Sequence, residues 1–237
     1  VLVSDLGTVC APEQDVTVTL NATATYGDAQ ASRSFVIRVV GTGSLDYYVP
    51  KIPISRFTDL THYGWAEEAI NALTQAGIIS GTSENTFAPG STITRGDFVA
   101  LLMRMLAPES NQEGAGFEDV PESSYYSKEI KLAQVLGIAS GTDDGRFLPQ
   151  ADISREDLFT LTYRALVTLG HLSEGAEEAD LNRFKDAAAV SDYAKRALGV
   201  LVGSGYISGN TDGTLLPKNH ATRAEAAVFL YQVYCSL

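Results

Sequence analysis

The chain has 237 residues, 45% of them hydrophobic and 19% charged, with a formal net charge of −12. That charge opposes nucleic acid as a partner, since polyphosphate binding rests on clustered Lys and Arg. No apolar run approaches the ~18 residues of a membrane span, so a spanning helix is excluded as well.

Residues 1–44 read as β-structure. Asp15 to Tyr26 alternates apolar and polar residues (DVTVTLNATATY), Ser34 to Val40 reads SFVIRVV, and Gly27-Asp28-Ala29 between them is turn-like. Period-two alternation rich in Val and Thr predicts strands, here a hairpin. With the earlier VLVS, these strands are too few for a sandwich. The segment is expected to be the C-terminal part of a larger β-domain, a partial β-sandwich. Val1 is not a natural start, so the chain reads as a processed or truncated piece. Gly41 to Ser44 reads as linker and Tyr47 to Ile54, with two prolines, as an extended connector, so 45–56 is assigned as the link between domains. Cys10 and Cys235 lie at opposite ends and fit no metal spacing; a disulfide and two unrelated thiols both stay open.

From Phe57 the period becomes helical and the chain repeats. ITRGD at 93–97 returns as ISRED at 153–157 and ATRAE at 221–225. Measured back from each arginine, the register holds. It passes through Pro89, Pro149 and Pro217, then Gly81, Gly141 and Gly209, then Gly77, Gly137 and Gly205, with an F-x-D triplet at Phe57, Phe117 and Phe184. Three repeats follow, over 57–113, 114–178 and 179–237. The last carries six basic and five acidic groups, on an otherwise acidic chain.

Each repeat predicts helix, loop, helix. Trp65, Ala69, Ile70, Leu73 and Ala76 follow one helical face, and Gly77 suits a left-handed cap. Tyr125 and Tyr193 match Trp65. In the loop, Asn85, Gly145 and Gly213 tolerate positive φ, and Phe87, Phe147 and Leu215 are expected to plug the core. Thr94, Ser154 and Thr222 open the second helices, each followed three residues later by an acid, Asp97, Asp157 or Glu225, in the manner of a capping box. One helix pair cannot bury a core alone, so three copies are expected to pack their second helices around a shared axis.

F-x-D, then G-I-x-S-G, D-G-x-F-x-P and I-T-R-A-E resembles the surface-layer homology (SLH) module in its usual tandem of three. The β-segment resembles, more faintly, the last strands of a bacterial immunoglobulin-like domain. The SLH resemblance implies a mainly α fold, a pseudo-threefold spindle. It further implies grooves between repeats that bind a cell-wall polysaccharide carrying pyruvylated N-acetylmannosamine, with Arg95, Arg155 and Arg223 meeting the pyruvyl carboxylate. A peptidoglycan-linked glycan is a second candidate partner. Departures are Leu215 for the aromatic, Ala221 for Ile and Asn210 for Thr in the third repeat, and Gly96 and Glu156 for the alanine of the motif.

The residue types suit that chemistry. Guanidinium offers a carboxylate two donors in a plane, and a helix start favours anions through its free N–H groups and dipole. The hydroxyls of Thr94, Ser154 and Thr222 add polar groups at the same place, and Trp65, Tyr125 and Tyr193 are candidate flat surfaces for sugar rings. The competing reading gives the arginines to salt bridges, with the capping acids or with Asp59, Asp119 and Asp186. By charge, the Arg223 groove ranks best, with Lys218 and His220 just upstream, and Arg155 ranks last beside Glu156.

A glycan-processing enzyme is the third reading: paired acids at the right distance hydrolyse glycosides, but acids that recur in all three repeats favour multivalent binding. His62, His171 and His220 stand at non-equivalent positions, and no Ser-His-Asp, H-E-x-x-H or P-loop pattern is present. The Asp-rich turns at 143–145 and 212–213 have too few ligands for an EF-hand, so neither metal nor cofactor is expected. The expected role is non-catalytic anchoring of a larger exported protein at the cell surface, in the cell wall or S-layer. The alternative is a structural module that drives lattice self-assembly.

Overall fold

In the computed structural model, residues 16–26 and 29–39 are described by their backbone, and 55–110, 114–142 and 144–237 in full. The chain divides into two compact units, Val1–Ile54 and Ser55–Leu237. In the first, β1 (Val16–Tyr26) pairs antiparallel with β2 (Ala29–Val39), Val16 opposite Val39 and Tyr26 opposite Ala29. The second strand starts five residues before the Ser34 expected from its apolar pattern. Pairing with β1 satisfies the backbone of the polar 29–33 stretch, which no hydrophobic alternation marks. These two strands form a hairpin; a sandwich needs a second sheet, and none forms among the described residues. The VLVS run, Cys10 and linker residues 45–54 lie outside the described residues. Cys235 is an exposed free thiol.

The second unit is helical. Its elements are α1 (Gly64–Gln75), α2 (Arg95–Leu106), α3 (Ser127–Val135), α4 (Arg155–Thr168), α5 (Asp192–Gly203) and α6 (Arg223–Tyr234). Gly77, Gly137 and Gly205 take φ of 72°, 70° and 80° just past the first helices. The following N–H then bonds back to the carbonyl five residues earlier, as in Ile78 to Leu73 at 2.9 Å. The buried face of α1 is Ala66, Ala69, Ile70 and Leu73. Trp65 and Ala76 are off that face, and Trp65, Tyr125 and Tyr193 are 57%, 62% and 53% exposed. Tyr234, near the end of α6, is exposed as well. Trp65 and Tyr193 lie in the first helical turn and Tyr125 just before α3, at the edge of the core, where each ring is exposed.

Packing does not follow the sequence repeat. The first helix of each repeat packs on the second helix of the preceding one: α3 on α2, α5 on α4, and α1 on α6. The second helices converge, α2 meeting both α4 and α6. Phe159 and Phe229 stack edge-on there, with ring centroids 4.9 Å apart.

A closed ring of backbone hydrogen bonds sets the axis. Ile93 N–H donates to Ala221 O, Ala221 N–H to Ile153 O, and Ile153 N–H to Ile93 O, at 3.0–3.1 Å. All three residues are buried. The same contact caps the second helices across repeats. Arg95 and Gly96 N–H donate to Ala151 and Pro149 O, Arg155 and Glu156 to Asn219 and Pro217 O, and Arg223 and Ala224 to Ser91 and Pro89 O, all at 2.9–3.0 Å.

The F-x-D acids hold the loops. Asp59 accepts from Phe87 and Ala88 N–H, Asp119 from Phe147 and Leu148, and Asp186 from Leu215 and Leu216. Burial opposes the Asp59 charge, yet the Phe87 and Ala88 amides hold its carboxyl below the ordinary carboxylate value. The residue clamped before each proline is left-handed: Ala88, Leu148 and Leu216 have φ of 57°, 59° and 50°. A non-glycine in that region carries about 1–3 kcal/mol of strain, offset here by two bonds to a charged acceptor. Gly145 and Gly213 also take positive φ, as their residue type predicts; Asn85 does not. Asp144 and Asp212 accept bonds from Arg146 and Thr214 within their own turns.

One buried acid ties the second repeat to the third. Glu156 is 3% exposed, and its carboxylate accepts from Ser191 N–H and Oγ, the Tyr193 hydroxyl and Lys218 Nζ. Burial pushes this carboxyl up, but Lys218, Ser191 and Tyr193 together bring it below its ordinary value of 4.5. A carboxyl depressed on folding stabilises the fold above its unfolded value, and that contribution is lost as pH falls through the folded value. Thermal melts between about pH 3 and pH 7 should show Glu156→Gln destabilised at neutral pH but with a shallower acid limb than the parent. Parallel curves would mean the carboxylate is not linked to folding.

The cross-repeat packing makes a second prediction. Removing 179–237 takes α6 from α1 and α5 from α4. Residues 55–178 should then unfold in urea without a cooperative transition, while 55–237 unfolds in one, both followed by far-UV circular dichroism. A cooperative transition in the shorter piece would contradict the closed packing.

Candidate functional site

Each arginine is the first residue of a second helix, and its backbone N–H is fixed on the next repeat's loop. Its side chain therefore reaches over that loop. Arg95 Nε donates to Phe147 O at 3.2 Å, Arg155 Nε to Leu215 O at 2.9 Å, and Arg223 Nε to Phe87 O at 2.8 Å. The guanidinium carbons of Arg95 and Arg223 lie 5.2 and 4.6 Å from the Phe147 and Phe87 ring centroids, within cation–π range.

Each arginine also meets the capping acid of the next repeat. Arg95 Nη1 is 3.4 Å from Asp157 and Arg155 Nη1 is 3.0 Å from Glu225, while Arg223 feels Asp97 and Asp59 electrostatically. Burial pulls the Arg155 and Arg223 guanidiniums below their ordinary value, with Glu225 and Asp97 pushing back.

The acids differ from expectation. Glu225 alone closes a capping box, accepting from Thr222 N–H at 2.8 Å. Asp97 and Asp157 are one methylene shorter and form no return bond to their caps. Their carboxylates instead accept from the hydroxyls of Tyr125 and Tyr193, the latter at 2.8 Å. Burial, with Asp157 and Glu156, pushes the Tyr193 phenol upward, so it stays protonated.

Three grooves result, of 540, 460 and 300 Å³. The first combines Arg95, the Ser140-Gly141-Thr142 loop, Asp157 and Tyr193. The second combines Arg155, Ser208-Gly209-Asn210, Glu225 and Trp65. The third combines Arg223, Ser80-Gly81-Thr82, Asp97 and Tyr125. In each, the arginine comes from one repeat, the loop and acid from the next, and the aromatic from the one after. The loop glycine has a steric reason: a Cβ at Gly81, Gly141 or Gly209 would sit 2.5–2.7 Å from Phe57, Phe117 or Phe184.

Thr94, Ser154 and Thr222 accept a hydrogen bond from the third helical N–H. With the first two N–H groups taken by the neighbouring repeat, no N-terminal amide of α2, α4 or α6 is free for an anion. The expected helix-start anion site is thus absent, and the positive charge at these helix starts lies in the arginine side chains. Of the three hydroxyl residues, only Thr222 lines a groove.

The basis for ranking the grooves also changes. Lys218 is bound to Glu156 and His220 lies 3.5 Å from Asp152, so neither serves Arg223. Glu156 faces Ser191, Tyr193 and Lys218 rather than Arg155.

Comparison with known proteins matches residues 56–99, 116–159 and 183–227 to the S-layer homology domain. An amylopullulanase of Thermoanaerobacterium thermosulfurigenes is 30% identical over 70% of the chain and 9% of its own length. A cellulosome-anchoring protein of Acetivibrio thermocellus is 28% identical over 65% of the chain and 35% of its own length. A surface-layer 125 kDa protein of Lysinibacillus sphaericus is 28% identical over 75% of the chain and 15% of its own length. The chain thus spans about a third or less of these relatives. Matched in all three repeats, the chain belongs to the S-layer homology domain family.

Proposed function

We propose that the module holds a larger protein at the cell surface by binding a cell-wall polysaccharide bearing pyruvylated N-acetylmannosamine. The anchoring role itself accords with the family and with relatives named as surface-layer and cellulosome-anchoring proteins. The observation that carries the glycan reading is the threefold recurrence of one arrangement: a guanidinium, a small-residue loop and an exposed ring, drawn each time from three repeats. A ring can stack on Trp65, Tyr125 or Tyr193 while a carboxylate takes the guanidinium face turned from the loop carbonyl. The fixed Nε contact pre-orients that face, so less rotamer entropy is lost on binding. Such a charged bond contributes roughly 1.5–3 kcal/mol. Three modest sites on one rigid unit add avidity.

The overall charge of −12 does not defeat a carboxylated ligand. With a Debye length of ~8 Å at physiological salt, the groove arginine outweighs remote acids. Residues 57–113, 114–178 and 179–237 are the proposed repeats. Residues 1–44 are proposed as the end of an immunoglobulin-like β-domain, joined through 45–56.

Co-sedimentation with purified cell walls tests this. The chain should pellet with native walls and be lost from walls stripped of their pyruvyl groups. Arg95→Ala, Arg155→Ala and Arg223→Ala should each weaken binding several-fold without loss of helical circular dichroism. Equal binding to both walls would overturn the carboxylate reading. Pelleting of the protein without walls would favour lattice self-assembly.

A further inference from the structure

The three grooves share a plan but not a rim. Nine residues after each groove arginine stand Arg104, Arg164 and Gln232, and each lines the groove beside its own second helix. Arg104 is engaged: its Nε donates to Glu129 at 2.9 Å and its Nη2 to Tyr125 O. Gln232 is neutral and donates to Gly205 O. Arg164 has no acidic partner among the described residues. The reason lies in the repeat register. Glu129 stands four residues after Tyr125, and the matching position after Tyr193 is Ala197. The third repeat thus supplies no acid where the second does.

A second difference lies next to it. Three residues after the groove aromatics stand Glu68, Lys128 and Arg196. Beside the Arg95 groove, Arg164 also forms a wall of a further 440 Å³ cavity, lined with Tyr163, Glu174 and Arg196. Arg196 is held there by the Tyr163 hydroxyl, Glu178 and Glu174 O. Arg164 therefore lines both cavities, and among the described residues no hydrogen bond or ion pair holds its guanidinium. At the corresponding position of the Arg155 groove stands the neutral Gln232, and Glu68, the counterpart of Arg196, accepts from the Tyr231 hydroxyl, so neither offers such a cation.

We infer that the Arg95 groove continues past Arg164 into a subsite for a second anionic group, carried by the sugar next to the one held at Arg95. This rests on the glycan reading above. The ligand class is an acidic oligosaccharide whose neighbouring residue bears a carboxylate or a phosphate, either of which the guanidinium fork can bind bidentately. Arg164 is a specificity-determining residue of this groove. The Arg155 groove, with Gln232 in that place, accepts a neutral neighbour instead.

The test compares four probes by titration calorimetry: pyruvylated N-acetylmannosamine alone, and its disaccharides with glucose, glucuronate or a glucose phosphate. Arg155→Ala/Arg223→Ala protein isolates the Arg95 groove. It should prefer either charged disaccharide over the glucose one by about tenfold, as expected for one charge-assisted contact. The stronger of the two charged probes identifies the anion. Adding Arg164→Gln, a residue the fold already carries at position 232, should abolish that preference and leave the monosaccharide affinity unchanged. Monosaccharide binding with no preference among the disaccharides would overturn the subsite alone. An equal loss for all four probes on Arg164→Gln would also overturn it, since that is a general effect. Failure of the parent protein to bind any probe would overturn the glycan reading and the subsite with it.

Discussion

The ring of hydrogen bonds through Ile93, Ala221 and Ile153 is the constraint on which the rest depends. It joins segments up to 128 positions apart in sequence at one buried point, counting from Ile93 to Ala221. Buried amides must be paired, and these loops leave each amide only a neighbouring repeat's carbonyl. The pairing fixes the rotation of each second helix, because the next two N–H groups continue the same contact. Rotation of the helix in turn fixes where its first side chain points. Arg95, Arg155 and Arg223 project over their neighbours' loops for that reason. The ligand-directed geometry follows from backbone satisfaction at the axis.

The same pairing explains why the arginines do not act as members of a helix-terminus anion site. A free helix start would offer three amides and a partial positive charge. Here two amides are taken by the adjacent repeat and the third by Thr94, Ser154 or Thr222. What positive charge the helix start offers a ligand therefore lies in the arginine side chain. There the capping acid of the next repeat, Asp157 or Glu225, already offsets part of the charge. On the proposed glycan reading, a carboxylate would compete with that acid, which would keep each contact modest and suit binding through several sites.

Much of this was legible in the chain itself, and the parts that were not share a physical cause. Gly77 and its equivalents, the helix starts at Thr94, Ser154 and Thr222, and the core plugs Phe87, Phe147 and Leu215 follow from local rules, and local rules act within a few residues. Partner choice does not. Periodicity shows that α1 has an apolar face but cannot say that α6 covers it rather than α2. Trp65 continues the α1 pattern yet lies outside, since the first turn of a helix overhangs the core edge. Asp97 and Asp157 satisfy the spacing of a capping box, but a side chain one methylene short makes the tyrosine hydroxyl the better partner. Glu156 reads as a charge beside Arg155, although successive helical residues diverge by about 100° and cannot share a face.

Pseudo-symmetry holds where the fold needs it and fails where it does not. The clamp of Asp59, Asp119 and Asp186 on a left-handed residue recurs three times because losing it would leave strain without compensation. Positions at the groove rims answer to no such demand. Among the described residues, Arg104, Arg164 and Gln232 make no hydrogen bond to the axis ring or the loop clamps, and each is compatible with the same helix. Divergence there changes what a groove can hold at little cost in stability. Every groove nevertheless draws on all three repeats, so valency cannot be lowered one repeat at a time. Removing a repeat takes an arginine from one groove, a loop and acid from a second, and an aromatic from the third. Specificity can therefore drift groove by groove through single rim residues, while the number of repeats is held at three by the closure of the ring.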